Sequence, residues 1–273
     1  MNNEPQTETS VFNIEQLRTS QVRERIAQCP ALILPLSGCE PFGSVGALGA
    51  ESICVKSVAD ALSARFSVLT APLIPYGCST PFISFAGAAG VKPRTFINML
   101  CEILHGYVFQ GINRIFVLNA VPFNTEPVLE ALSRLKVKYP EIKTALFSIG
   151  VGDMSMEANK QNDGIDRNDA LILSLLAYLS SDMISEDEAP KALIKKKLEH
   201  RSHRERPVVV PHPHYKNWKK RGRDPQKLAA LFPQGTFLAA DADISGQQGK
   251  VFFERIIEDA TAELEKLLCQ DSK

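Results

Sequence analysis

Apolar positions along the chain fall into two spacings that replace one another in turn. Helical intervals of three and four mark 13–27 (Ile14, Leu17, Ile26), Ala50–Phe66 (Ile53, Val58, Leu62), 93–107, 127–138, 168–179 and 247–268. Between them lie short apolar runs at Ala31–Leu36, 67–74, Arg114–Asn119 and 143–149, with a further one at 236–239. The run at Ala31–Leu36 stops at Ser37-Gly38, as a buried strand does at its turn.

Strands separated by helical stretches of this length predict βαβ units: a layered α/β fold with a mainly parallel sheet flanked by helices. Ligands of such sheets sit beyond the carboxyl ends of the strands. The segments to inspect are therefore 37–51, 75–90, 119–126 and 150–169, all rich in Gly, Pro and small polar residues. No internal repeat stands out. The reading is one α/β domain over 13–273, preceded by a disordered polar N-terminus at 1–12.

Composition narrows the class without naming a function. Hydrophobic residues at 44% and charged residues at 23% exclude a disordered, collagenous or coiled-coil chain. Apolar runs such as Ala31–Leu36 are far too short to span a bilayer. The N-terminus lacks the basic and apolar regions of a secretory signal. Six cysteines are scattered with no CxxC pair, which suits a reducing, cytoplasmic setting.

The formal charge of +0 argues against a nucleic-acid binder overall, but the charge is unevenly placed. Residues 191–227 hold thirteen basic residues against three acids, a net +10 that leaves −10 on the remainder. They also hold Trp218 and four of the five histidines, His200, His203, His212 and His214. A solvated arm, an anion contact or a subunit contact are the readings for this segment. Nucleic acid is not the expected partner.

The strand-end loops carry a resemblance. Pro35-Leu36-Ser37-Gly38-Cys39-Glu40-Pro41-Phe42-Gly43, with Glu51 beyond, resembles the first motif of the creatininase (creatinine amidohydrolase) family, P-x-G-S-x-E-x-H-G followed by an Asp. Tyr76-Gly77-Cys78-Ser79 is similar to its Y-G-x-S loop, and Phe85-Ala86-Gly87-Ala88 to its F-P-G-T. The run from His105 into Asn119-Ala120-Val121-Pro122-Phe123-Asn124 resembles the stretch ending in N-G-H-x-x-N, and Ala240-Asp241-Ala242-Asp243 the G-D-P turn. The likeness runs in order over 31–268.

The resemblance implies a creatininase-like fold, symmetric homo-oligomers that are commonly hexamers, and two zinc or manganese ions at the strand ends. It also implies where this chain departs. Glu40 and Glu51 stand at the family's Glu and Asp ligand positions, but Phe42 and Val121 stand where it carries histidines, and Phe123 where some members carry an acid. The H-A-G-E-x-E-T-S block falls near 163–170 without its His or its Ser-Thr pair. Zinc needs imidazole or thiolate donors, and a dinuclear site needs a bridging carboxylate as well.

The expectation is therefore a site without metal, and a binding or partner subunit that does not hydrolyse. The alternative is an amidohydrolase of a cyclic amide or formamide C–N bond with a replacement site; an anion or nucleic-acid binder is the third. Catalytic candidates are Glu40 and Glu51 as a carboxylate pair and Cys78 as a thiol, with His105 the only base at hand. Asp153, Asp163 and Asp166 could join the glutamates in an oxygen-only site. Ser79, Asn119, Asn124 and Asp153 are ligand-binding candidates. Phe42 and Phe123 are expected to meet and plug the metal site.

Overall fold

The computed structural model describes residues 12–149, 166–185, 226 and 244–269. The predicted strand at 236–239, the basic arm 191–227 apart from residue 226 and the N-terminal stretch through residue 11 lie outside them. So do Asp153 and Asp163.

Four parallel strands form one sheet in the order β2-β1-β3-β4: β1 (Ala31–Leu36), β2 (Leu69–Thr70), β3 (Arg114–Asn119) and β4 (Lys143–Ser148). All six residues of β1 are buried, because the central strand of a parallel sheet is covered on both faces. Pro35 in such a strand needs an explanation. Ile33 and Pro35 turn their carbonyls toward the β2 side, accepting from Ala71 and Ile74. The missing Pro N–H thus falls where β2 has already ended, so no ladder bond is lost.

Helices cover the sheet in two layers. On one face α2 (Ala50–Phe66), α5 (Asp166–Leu179) and α6 (Gly246–Leu268) pack on Ile33, Phe116 and Leu118. On the other, α3 (Pro93–Phe109) and α4 (Thr125–Lys138) pack on Leu32, Leu34, Ile115 and Val117. Helix α1 (Thr19–Gln28) adds Val22 and Ile26 to this second core. Odd and even strand residues divide cleanly between the two cores, as the period of two requires.

The layered parallel α/β fold is as the sequence predicts, with local differences. The strand expected over 67–74 reduces to Leu69–Thr70. Ser67 ends α2 in the left-handed conformation (φ 53°), and beyond Thr70 the chain meets β1 only at Ala71, which donates to Ile33, and at Ile74, which donates to the Pro35 carbonyl and accepts from the Ser37 N–H in an isolated bridge. Helices α3 and α4 run slightly past their expected limits, and the first helical stretch splits into a 3-10 turn (Ile14–Gln16) and α1.

The exposed Ser67 carries a left-handed backbone that disfavours any side chain. Ser67→Gly should raise stability by about 0.5–1 kcal/mol, seen as a higher urea midpoint with an unchanged slope.

Candidate functional site at the strand ends

The carboxyl ends of β1 and β3 deliver the candidate residues. After Leu36 the chain turns at Ser37-Gly38 and reaches Glu40, while Glu51 occupies the first turn of α2. Ser79 donates to the Glu40 carboxylate at 2.7 Å, and the Gly38 backbone N–H bonds to Glu51. Both glutamates are buried, at 8% and 3% exposure. Glu51 Oε2 has no hydrogen-bond partner.

Close approach of the loops makes this arrangement possible. A Cβ on Gly38 would stand 2.8 Å from Ser79 Oγ, 2.9 Å from a Val121 methyl and 3.1 Å from Glu51 Oε2. Gly77 is equally constrained, since a side chain there would collide with the Asn124 amide. That amide is fully committed to the scaffold: Asn124 accepts from the Cys78 N–H at 2.8 Å and donates to the Ser37 carbonyl at 3.2 Å. Asn119 likewise clamps its own loop, donating to the Val121 carbonyl at 2.8 Å and accepting from the Val121 N–H at 3.2 Å. The structure thus places Asn119 and Asn124 as buried braces of the strand-end loops.

A third carboxylate, Asp169 of α5, stands within electrostatic reach of the pair. It lies close enough for its charge to push the pKa of both glutamates upward. Burial is the largest cause for Glu40 and lifts it to about 8; the Ser79 hydrogen bond lowers it and the Asp169 charge raises it. Glu51 is raised well above the carboxylate range, first by burial, then by the charges of Glu40 and Asp169, against the opposing Gly38 hydrogen bond. The positive end of α2 favours a carboxylate in its first turn, but desolvation of a buried charge is the larger effect. At neutral pH Glu40 is therefore a proton-carrying acid.

Asp169 is not among the residues singled out in the sequence, although it closes the 150–169 segment that the strand-end rule marks for inspection.

The Cys78 thiol is a poor nucleophile here. Cys78 is buried and its thiol is pushed up to about 12, by desolvation first and the Glu40 charge second. His105, the expected base, sits near the end of α3 and pairs with the Tyr139 hydroxyl, at the opposite end of the sheet. Cys39 donates to the Gly87 carbonyl at 3.2 Å.

The expected contact between Phe42 and Phe123 does not form. Phe42 is folded back by a tight turn, in which Val45 and Gly46 donate to its carbonyl, into the core of α2 and α5. Phe123 sits in the 3-10 turn Pro122–Asn124 and packs edge-on against Phe82, centroids 5.7 Å apart, in an aromatic group with Phe85. The strand ends stand between the two rings, so each joins the core on its own face. Val121, fully buried beside Gly38, fills the space between. Among the described residues no three His, Cys, Asp or Glu side chains come together as metal ligands do.

Two outcomes follow. Phe42→Ala, at a site 3% exposed, should cost about 3–5 kcal/mol, more than Phe123→Ala at its half-buried position, as read from denaturant midpoints. The folded protein holds a proton on Glu40 that the unfolded chain releases in the ordinary carboxylate range. Stability is therefore greatest below that range and declines as pH rises through about 8. Glu40→Gln should flatten this decline; a urea midpoint that rises between about pH 5 and about pH 9 would contradict it.

Comparison with known proteins identifies the family and the fold. The family model described as creatinine amidohydrolase (Creatininase) matches residues 15–264. The crystal structure of creatinine amidohydrolase (creatininase) superposes with a TM-score of 0.72 at 16% identity, covering 96% of this chain and all of that one. A creatininase structure designated Mn gives 0.71 at 16% identity, with 95% and 99% covered. A curated relative, the 3-dehydro-scyllo-inosose hydrolase of Thermotoga maritima, is 27% identical over 113 residues, 41% of this chain and 36% of that enzyme's length. With the family model spanning most of the chain and the strand-end motifs in place, the chain belongs to the creatininase family.

Proposed function

We propose that this chain is a creatininase-family protein whose two-metal site is degenerate, and that it acts by binding a small molecule or a protein partner rather than by metal-dependent hydrolysis. The observation that carries the reading is Phe42. At the position where the family motif has a histidine, this ring is buried in the core of α2 and α5, where it can neither be a ligand nor swing out cheaply. Val121 supports it by filling the second histidine position. What remains is oxygen only: Glu40, Glu51 and Asp169. Zinc prefers imidazole and thiolate donors, and a dinuclear site needs more ligands than these carboxyl groups supply. All six cysteines are free, which supports a reducing, cytoplasmic setting. No helix among the described residues is long and apolar enough to cross a membrane.

A second reading rests on Glu40. An acid held near 8 and oriented by Ser79 has the character of a general acid. That favours a hydrolase with a replacement site, in the manner of the Thermotoga relative whose name records hydrolysis of 3-dehydro-scyllo-inosose.

Metal analysis of protein purified without chelator or added metal separates the two. The proposal expects no stoichiometric zinc or manganese and no turnover of creatinine. Stoichiometric metal that is lost in Glu51→Gln, together with creatinine turnover, would overturn it.

A further inference from the structure

A second concavity lies at the opposite end of the sheet from Glu40, between the later turns of α3 and α4. Cys101 and His105 are four residues apart and Glu102 and His105 three, so all three share one face of α3. Arg134, Leu135 and Lys138 meet them from α4. The cavity between the helices is about 340 Å³, at the small end of the roughly 300–1,000 Å³ of ligand sites.

Its floor is apolar and its rim is cationic. Leu135 is buried, and the Cys101 thiol is turned to the Ala131 carbonyl at 3.9 Å. On the rim Arg134 gives Nε to Glu130 at 2.8 Å, an i,i+4 pair that restrains the guanidinium and leaves both Nη groups out of that bond. Lys138 Nζ stands over the Tyr139 ring, 5.4 Å from its centroid. The His105 ring stacks on the same tyrosine, centroids 5.7 Å apart, and its Nδ1 pairs with the Tyr139 hydroxyl. With that hydroxyl as donor the neutral imidazole carries its proton on Nε2, and the imidazolium carries one there as well. Tyr139 thus organises two of the three donors.

Simpler explanations cover only part of this arrangement. The negative end of a helix attracts cations, which accounts for Lys138 at the last position of α4 but not for Arg134 a turn earlier. Cys101 and His105 at i,i+4 have the spacing of a soft-metal clamp. Arg134 and Lys138 beside them oppose a metal ion, however, and among the described residues no third ligand completes a set. We propose that the α3–α4 cavity binds a small organic oxyanion, a carboxylate or a phosphate monoester on a compact apolar body. The oxyanion takes Arg134, Lys138 and the His105 Nε2–H, and the apolar body lies on Leu135 and Cys101. Glu102 on the wall selects against ligands with an anionic group at both ends.

Titration calorimetry of the full chain at moderate salt should show saturable binding of benzoate or phenyl phosphate with a Kd of about 1 mM or tighter. The tighter of the two identifies the headgroup. Benzamide, the uncharged counterpart of benzoate, should bind about tenfold more weakly or worse, and so should the better anion to Arg134→Gln, each change removing hydrogen bonding between charged groups. Arg134→Gln should leave the unfolding temperature unchanged, since Arg134 and its partner Glu130 are both about half exposed. The bound anion should slow iodoacetamide labelling of the half-buried Cys101, read by peptide mass spectrometry, and leave the exposed Cys269 unaffected. The absence of saturable binding by either anion in this range would overturn the proposal. So would benzamide binding as tightly as benzoate, an affinity indifferent to Arg134→Gln, or a Cys101 labelled as fast with the anion as without it.

Discussion

Two carboxyl groups taken out of water beneath the ends of β1 and β3 set the terms for everything around them. Glu40 and Glu51 are buried with Asp169 nearby. Each of these charges opposes ionisation of the others, and burial opposes it more strongly still. Full ionisation in such a place costs several kcal/mol per group unless it is paired. The structure answers with one hydroxyl donor, one backbone N–H and protons held well above the ordinary carboxylate range. The rest of the strand-end architecture is what holds those donors in position. Gly38 and Gly77 let the loops approach, Asn124 ties the 37–40 loop to the 76–79 loop, and Asn119 fixes the turn that buries Val121.

Much of this fold was legible because its elements are simple. Strands covered on both faces read as continuous apolar runs, and Ala31–Leu36 and Arg114–Asn119 are recovered residue for residue. The run at 67–74 misled because apolar character reports burial rather than pairing. Its later residues stay close to β1 but meet it only at Ala71 and in the isolated bridge of Ile74 with Leu36, once α2 has ended at Ser67. At the site, motif spacing put Glu40, Glu51 and Ser79 on strand-end loops, and in the structure Ser79 bonds to Glu40 while the charge of Glu40 acts on Glu51. It gave no direction for side chains, so Phe42 and Phe123 were expected to converge although tight turns send them to opposite cores. Asp169 was missed because its approach depends on how α5 crosses the start of α2, which is a matter of packing between distant segments.

The approach of the three carboxyl groups follows from the arrangement of crossovers. Connections of one hand place α3 and α4 on one face and leave the other to α2, α5 and α6. That second face brings the start of α5 over the start of α2, and so Asp169 toward Glu40 and Glu51. The site's carboxyl groups therefore come from three separate segments, the loop after β1, the start of α2 and α5, and only the packing of α5 on α2 brings the third toward the other two.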